Sequence, residues 1–246
     1  MKIAQGVETI EIYKDFGSAR RTIFPALLYD DKDVVLVDTG YPGLFPMIRE
    51  AVSKTDVPFG RIGRVIITHQ DFDHIGSLPD LVSALGGRVE VIAHELEKPY
   101  IEGERPLIKT TPLEKKKLLD SMPEDARPGF EAMLSSPPRA KVDRAVKDGE
   151  ELPFCGGITV IFTPGHTDGH ISLYHKKSKT LIPGDAMIVQ DGVLCGPRPP
   201  AAKDLELAVR SLRKFTHFDV ETVLCFHGGV YNKDANARIR ELAGGE

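Results

Sequence analysis

Four side chains that can bind a metal ion lie within residues 68–74, which read Thr-His-Gln-Asp-Phe-Asp-His. Imidazole and carboxylate groups are donors that zinc, iron and manganese accept. Carboxylates crowded into one loop repel each other unless a positive charge lies among them. The stretch therefore predicts a metal-binding loop, with an acidic turn carrying two surface histidines as the alternative. The four candidate ligands are His69, Asp71, Asp73 and His74.

Three further candidate ligands each follow a predicted strand directly. They are His166 in Pro-Gly-His-Thr, Asp185 in Pro-Gly-Asp and His227 in Phe-His-Gly-Gly. A lone histidine after a strand is more often a structural residue, but three strand ends with the same feature support one another. The adjacent Gly and Pro residues permit tight turns that direct a short side chain at an ion.

Strands and helices that could position these residues alternate along the chain. Apolar runs at 26–29 and 34–37 flank the polar stretch 30–33, which predicts a hairpin. Two strand-rich halves with helices between them predict an α/β fold, in which two sheets pack face to face with helices outside, a four-layer αββα sandwich. Further strands are predicted at 64–68, 89–93, 158–163, 172–175, 180–182 and 222–226, and helices at 44–52, 78–85 and 205–215.

Residues 95–150 differ from the rest because prolines interrupt them repeatedly. Thr111 and Glu114 form a capping box with Pro at the first helical position, which predicts a helix from 112 to about 121. A second helix is predicted at 127–135. We interpret 95–150 as a helical insert that covers the site, builds a homodimer interface, or is a surface elaboration without a substrate role.

Composition limits the class of protein. The chain has 246 residues, 41% hydrophobic and 28% charged, with a formal net charge of -4. These values predict one globular domain, 1–246, without a global basic field for nucleic acid or an anionic membrane. Three cysteines far apart argue against a disulfide framework and fit a cytoplasmic location. Neither a signal peptide nor an apolar run long enough to span a membrane is expected.

The order of these motifs, together with Asp38-Thr39-Gly40 after an early strand, resembles the metallo-β-lactamase fold superfamily of metallohydrolases. The resemblance implies two metal ions, with Asp185 bridging them and a metal-bound hydroxide as the nucleophile. It also implies that Asp73 delivers a proton to the leaving group, and that Asp38 and His170 support the ligands or serve only the structure. The implied ligands are His69, Asp71 and His166 for the first ion and Asp73, His74 and His227 for the second.

Asp71 departs from the pattern, because most hydrolases of this superfamily have histidine there. A third carboxylate makes the dinuclear centre formally neutral once a hydroxide is included, which predicts a weaker Lewis acid. Zinc is the expected ion, with iron or manganese as alternatives. Flavodiiron proteins of the same fold carry a glutamate at this position and use two irons.

These features predict a dinuclear, metal-dependent hydrolase acting on a small ester, lactone, thioester or related acyl substrate. Glyoxalase II-like enzymes are disfavoured because only residues 228–246 follow the last ligand, and acyl-homoserine lactonases because Ile188 stands where they place a tyrosine. A mononuclear iron oxygenase of the sulfur-dioxygenase kind and a metal-stabilised binding protein without turnover are the alternatives. An apolar entrance is expected from Phe72, Phe130, Met133, Met187 and Ile188.

Overall fold

The computed structural model describes residues 1–120 and 122–244, and within them the chain forms 17 strands and eight α-helices. The strands are β1 (Lys2–Ala4), β2 (Val7–Thr9), β3 (Ile12–Phe16), β4 (Ala19–Ile23), β5 (Ala26–Tyr29), β6 (Val34–Val37), β7 (Arg64–Ile67), β8 (Glu90–His94), β9 (Arg144–Val146), β10 (Glu151–Leu152), β11 (Ile158–Phe162), β12 (Ile171–His175), β13 (Thr180–Ile182), β14 (Ile188–Gln190), β15 (Val193–Cys195), β16 (Thr222–Cys225) and β17 (Gly229–Tyr231). The helices are α1 (Phe45–Ser53), α2 (Phe72–Ile75), α3 (Leu78–Ala84), α4 (Lys98–Ile101), α5 (Pro112–Asp120), α6 (Arg127–Ser135), α7 (Leu205–Ser211) and α8 (Ala235–Leu242).

The first sheet has the strand order β1-β2-β5-β6-β7-β8-β9 among the described residues. Its first four strands pair antiparallel, and β6 to β9 run parallel. The predicted hairpin between β5 and β6 is confirmed, and Asp30 fixes its turn by accepting hydrogen bonds from the backbone N–H groups of Lys32 (2.8 Å) and Asp33 (2.7 Å). A short polar residue at a turn start is suited to this role.

The second sheet has the order β10-β11-β12-β13-β16-β17, again among the described strands. All of its pairs are antiparallel except β13 with β16. Because β11 and β13 both pair antiparallel with β12, the strands β11, β13 and β16 run in one direction. Their carboxyl ends therefore lie at the same edge of the sheet.

Three apolar clusters separate the layers. One lies between the sheets and joins β5, β6 and β7 to β11, β12 and β16. A second packs α1, α3 and the helical insert on the outer face of the first sheet, and a third packs the 3-10 segment Leu212–His217 and α8 on the outer face of the second. Three buried interfaces between four layers confirm the predicted αββα sandwich.

The helices predicted for residues 95–150 are present. Helix α5 begins at Pro112, and the Thr111 hydroxyl oxygen accepts a hydrogen bond from the N–H of Glu114 at 3.4 Å. Helix α6 packs on strand β3, which forms a separate two-stranded sheet with β4, through Phe130, whose ring lies 4.6 Å from that of Phe16. The predicted end of the first helix, near 121, lies outside the described residues, and the final part of 95–150 contains strand β9.

The five apolar side chains expected at the entrance do not line it together, because some of them are buried in the apolar clusters. Met187 is fully buried in the cluster beneath the segment Leu212–His217 and α8, and Phe130 is buried in the cluster on the outer face of the first sheet. Apolar side chains near a polar site were drawn into the neighbouring cores because burial of apolar area is favourable. No helix in the described part of the chain is long and apolar enough to cross a membrane.

Candidate metal centre

Seven side chains converge where four strands end. The strands β7, β11, β13 and β16 lead directly into the loops that carry them. The donor atoms form two groups, and within each group they lie within 4.8 Å of one another. The first group contains His69, Asp71, His166 and Asp185, and the second contains Asp73, His74 and His227.

Asp185 lies between the two groups. Its Oδ1 is 3.3 Å from the Nε2 atoms of both His74 and His227, whereas its Oδ2 is 3.4 Å from His166 Nε2. Asp73 completes the second group, with Oδ2 at 3.3 Å from His227 Nε2. Asp185 thus presents one oxygen to each group, and the bridging role that the resemblance implies for it stays a prediction.

Hydrogen bonds fix the tautomers of the two histidines in the first metal-binding loop. His74 Nδ1 donates to Asp38 Oδ2 at 2.8 Å, and the Thr68 hydroxyl donates to the same carboxylate at 2.8 Å. Since the Thr68 proton is already used, His69 Nδ1 donates to the Thr68 oxygen at 3.0 Å. In its neutral form each ring therefore directs the lone pair of Nε2 into the site, as metal-ligating histidines do.

Several buried polar atoms of the centre have no hydrogen-bond partner. Buried polar groups in proteins almost always have a hydrogen-bond partner, so a cluster of polar atoms without one needs a specific explanation. A cation among lone pairs would satisfy the cluster, and imidazole nitrogen with carboxylate oxygen is a donor set that suits zinc, iron or manganese. The residues thus fit a divalent metal ion. Among the described residues, the unpaired atoms are His69 Nε2, His74 Nε2, Asp185 Oδ1 and His227 Nε2, and also His166 Nδ1, although that ring meets Asp71 and Asp185 through its Nε2.

His170 holds the loop of Asp185. The backbone N–H of Asp185 donates to His170 Nε2 at 3.0 Å, so His170 Nδ1 carries the proton and donates to Thr163 at 2.9 Å. Gly184 has a φ of +56°, and a Cβ there would lie 2.7 Å from His170 Nε2. Only glycine permits this approach at that backbone conformation. Burial lowers the pKa of His170 well below its usual value, which keeps the ring neutral.

Glu97 joins the two loops that carry the first group. Its carboxylate is fully buried and accepts hydrogen bonds from the Gln70 backbone (2.9 Å) and side chain (3.1 Å). It also accepts from the Thr167 hydroxyl and the Gly169 N–H, both at 2.7 Å. Burial raises its pKa, and these four donors compensate the buried carboxylate. Glu97 therefore positions the neighbours of Asp71 and His166.

Lys109, from the insert, reaches the first group. Its Nζ contacts Asp71 Oδ2 closely and lies 3.0 Å from His166 Nε2. Asp71 Oδ2 is also 2.9 Å from His166 Nε2 and 3.3 Å from His69 Nε2. The side chain of Asp71 is therefore long enough to reach its group, although it is shorter than the histidine usual at this position.

The two groups differ in their electrostatics. In the second group burial lowers the pKa of both histidines, but nearby carboxylates outweigh it. Asp185 and Asp73 raise the pKa of His227 to about 9. The carboxylate of Asp38 contributes most to raising the pKa of His74 well above its usual value. In the first group, burial and then the Lys109 ammonium lower the pKa of His166 to about 4. Burial disfavours the ionised form of Asp71, yet Lys109 and His69 hold its pKa well below the usual range.

The structure brings together every site residue that the sequence predicted, and their ligation of metal stays a prediction. Sequence reasoning missed Glu97 and Lys109. Glu97 bonds to residues 27 to 72 positions away, and Lys109 lies 38 positions from Asp71. Such contacts leave no local pattern, because the spacing of donors along one loop carries no information about a distant partner.

Comparison with known proteins assigns the family. The model of the metallo-beta-lactamase superfamily matches residues 23–227. The chain is 30% identical over 228 residues to the probable metallo-hydrolase YflN of Bacillus subtilis, covering 85% of this chain and 81% of that protein. A metallo-beta-lactamase family protein of Thermus thermophilus superposes with a TM-score of 0.71 at 22% identity, covering 98% of this chain and 79% of the other. An archaeal superfamily protein of Sulfolobus tokodaii superposes with a TM-score of 0.65 at 22% identity, covering 97% and 85%. The chain belongs to the metallo-beta-lactamase superfamily and is a metal-dependent hydrolase of that kind.

Proposed function

We propose that this protein hydrolyses a small, uncharged acyl compound, an ester, lactone or thioester, with the aid of a bound divalent ion. The observation that carries the proposal is the cluster of unpaired, buried nitrogen and carboxylate atoms at the ends of four strands. Zinc is the ion that we expect, with iron or manganese as alternatives. The presence of two ions stays a prediction, and one ion in the second group is sufficient for the reaction proposed.

The residues of the centre have separate roles in this reaction. Asp73, His74, His227 and Asp185 would hold the ion, which polarises a carbonyl oxygen and acidifies a water molecule. Burial disfavours the ionised form of Asp73, but His74 and His227 lower its pKa to about 2. Asp73 is thus ionised at neutral pH and can accept the proton of the attacking water before it delivers a proton to the leaving group.

Charge and access support a small, uncharged substrate. One divalent ion and the Lys109 ammonium together balance the carboxylates of Asp71, Asp73 and Asp185, so no excess positive charge favours a phosphodiester. The side chains of Asp73 and His227 are 17% and 16% exposed and that of Lys109 is 27% exposed, whereas His69 and His74 are fully buried. Substrate therefore has to enter past these three partly exposed side chains.

The test is hydrolysis of a panel of esters, lactones, thioesters and phosphodiesters by protein freed of metal with a chelator and then reloaded. We expect acyl hydrolysis that disappears with the chelator, returns with metal and is abolished by Asp185→Ala. Hydrolysis that survives in Asp185→Ala, or a preference for phosphodiesters, would contradict the proposal. Oxygen uptake with a thiol persulfide would favour a sulfur dioxygenase instead.

A further inference from the structure

We propose that the Lys109 ammonium takes the place of the first metal ion, so that the centre binds one divalent ion, in the second group. This inference rests on the proposed metal-dependent function and specifies how many ions that function uses. It assigns a positioning and charge-balancing role to a residue of the insert.

The contacts of Lys109 are those that a cation in the first group would make. Its Nζ contacts Asp71 Oδ2 and lies 3.0 Å from His166 Nε2, the two atoms that face His69 across this group. An ammonium has three donors and no lone pair, so it satisfies lone pairs of imidazole and carboxylate as a metal ion does. A metal ion on the same atoms would have to displace it.

The insert holds Lys109 in this position through hydrogen bonds on either side. The N–H of Ile108 donates to Gln70 Oε1 at 2.8 Å, and Gln70 is itself fixed by Glu97. Thr110 folds back on Leu107, whose carbonyl accepts from both its N–H (2.9 Å) and its hydroxyl (2.7 Å). Leu107 is buried in the core beneath the insert. The lysine is therefore attached to the metal-binding loop rather than to a free surface segment.

The unpaired atoms show the same division. His74 Nε2, His227 Nε2 and Asp185 Oδ1, which face one another in the second group, have no partner. In the first group, Asp71 Oδ2 and His166 Nε2 have Lys109. His69 Nε2 and His166 Nδ1 stay unpaired, and of these two atoms His69 Nε2 is the one that lies against Asp71. An ion is thus needed more by the second group than by the first.

The charges agree with a single ion. Before any hydroxide is bound, the three carboxylates are balanced by one divalent ion and one ammonium. A second divalent ion on Asp71 and His166 would lie in contact with the Lys109 ammonium, and the two cations would repel each other within a buried site. Removing the ammonium would leave Asp71 without its cation. The first group would then become a metal site of histidine and carboxylate donors.

The test measures metal stoichiometry in the whole protein, independently of activity. Cobalt is titrated into metal-free protein while the visible absorption of the bound ion is followed, and zinc in reloaded protein is counted by elemental analysis. Wild type should saturate at one ion per chain, and Lys109→Met should saturate at two. Lys117→Met, which changes an exposed lysine of the same insert paired with Glu114, should remain at one. Lys109→Gln provides a second variant, and circular dichroism checks that each is folded.

The outcomes separate this inference from the proposed function. Two ions of similar affinity in wild type, or one ion in both folded Lys109 variants, would overturn the role of Lys109. One ion in wild type and two in Lys109→Met, without hydrolysis of any acyl substrate, would support the inference and contradict the proposed function. Absence of bound metal from every variant would contradict both.

Discussion

The two halves of the centre use the same donor types but have different cationic partners. In the second half, imidazole nitrogens and Asp185 face one another without a partner. In the first half, Asp71 and His166 share the ammonium of Lys109. The comparison teaches that a ligand motif in the sequence does not by itself count metal ions, because a distant lysine can meet the same electrostatic need.

Two buried carboxylates support the halves unequally. Asp38 orients one histidine in each half, His74 directly and His69 through Thr68. Glu97 instead ties the loop of Asp71 to the loop of His166 through Gln70 and the residues after His166. Substitution of Glu97 can therefore disturb the first half alone, whereas substitution of Asp38 disturbs both.

The largest expected effect comes from removing a ligand of the second half. His227→Ala should lower kcat/KM by about a thousandfold, about 4 kcal/mol, because the remaining donors no longer hold the ion that polarises the substrate. Asp71→Asn in the first half should cost only about tenfold, since it weakens the contact with Lys109 without removing the ion. Steady-state kinetics on the best acyl substrate measures both. Equal losses in the two variants would break the comparison.

Glu97→Gln should destabilise the fold with little change in metal affinity. The Glu97 carboxylate accepts four hydrogen bonds, and the amide replaces one of its oxygens with an NH2 group that faces other hydrogen-bond donors. This should lower the free energy of unfolding by about 1–3 kcal/mol. Denaturant unfolding of the metal-free protein gives the free energy, with exposed Glu221→Gln as a control. A loss of metal affinity as large as the loss of stability would show that Glu97 also supports the second half.

Asp38→Asn should reduce metal affinity by about 10- to 100-fold, as is typical when the partner of a ligating histidine is lost. The carboxylate accepts through both of its oxygens, whereas asparagine has one acceptor oxygen. It cannot accept from the Thr68 N–H and from His74 Nδ1 together, so the His74 ring is held less firmly with Nε2 toward the site. Competition with a chromophoric chelator measures the affinity. Asp15→Asn, an exposed aspartate paired with Arg20, serves as the control. Unchanged affinity in Asp38→Asn would contradict the assigned role.

Metal binding should release protons from the second half. The raised pKa values of His74 and His227 keep both rings protonated at neutral pH in the metal-free protein, and an ion needs their lone pairs. Apparent affinity should therefore rise with pH, by about tenfold or more per unit, and level off only at or above pH about 9. Calorimetry in buffers of different ionisation enthalpy counts the protons. Binding without proton release at pH 7 would place the ion elsewhere.

Much of the fold was predictable because it depends on local pattern. The alternation of apolar runs and turns predicted strands 26–29 and 34–37 correctly, and the capping box at Thr111 predicted the start of helix α5. Sequence reasoning missed the hairpin β14–β15 and helix α8. Helix α8 has few apolar residues on one face, so its sequence pattern is weak. Its position depends on the packing of Ile239 against the second sheet.

The site was predictable for a different reason. Its seven residues follow strands, and strands that run in one direction bring their ends to one edge. The same reasoning could not find Lys109, since it lies in an irregular part of the insert and nothing in the local sequence distinguishes it from Lys115 or Lys117. Its position depends on the hydrogen bond between Ile108 and Gln70, a contact made only in the folded chain.

We infer that the two halves of the centre hold different cations. Anomalous diffraction from crystals of zinc-loaded wild-type protein, collected on either side of the zinc absorption edge, locates each bound zinc ion. We expect one anomalous peak per chain, among His74, His227, Asp73 and Asp185, with the Lys109 ammonium on Asp71. Two peaks of equal height, with Lys109 turned away from Asp71, would contradict it.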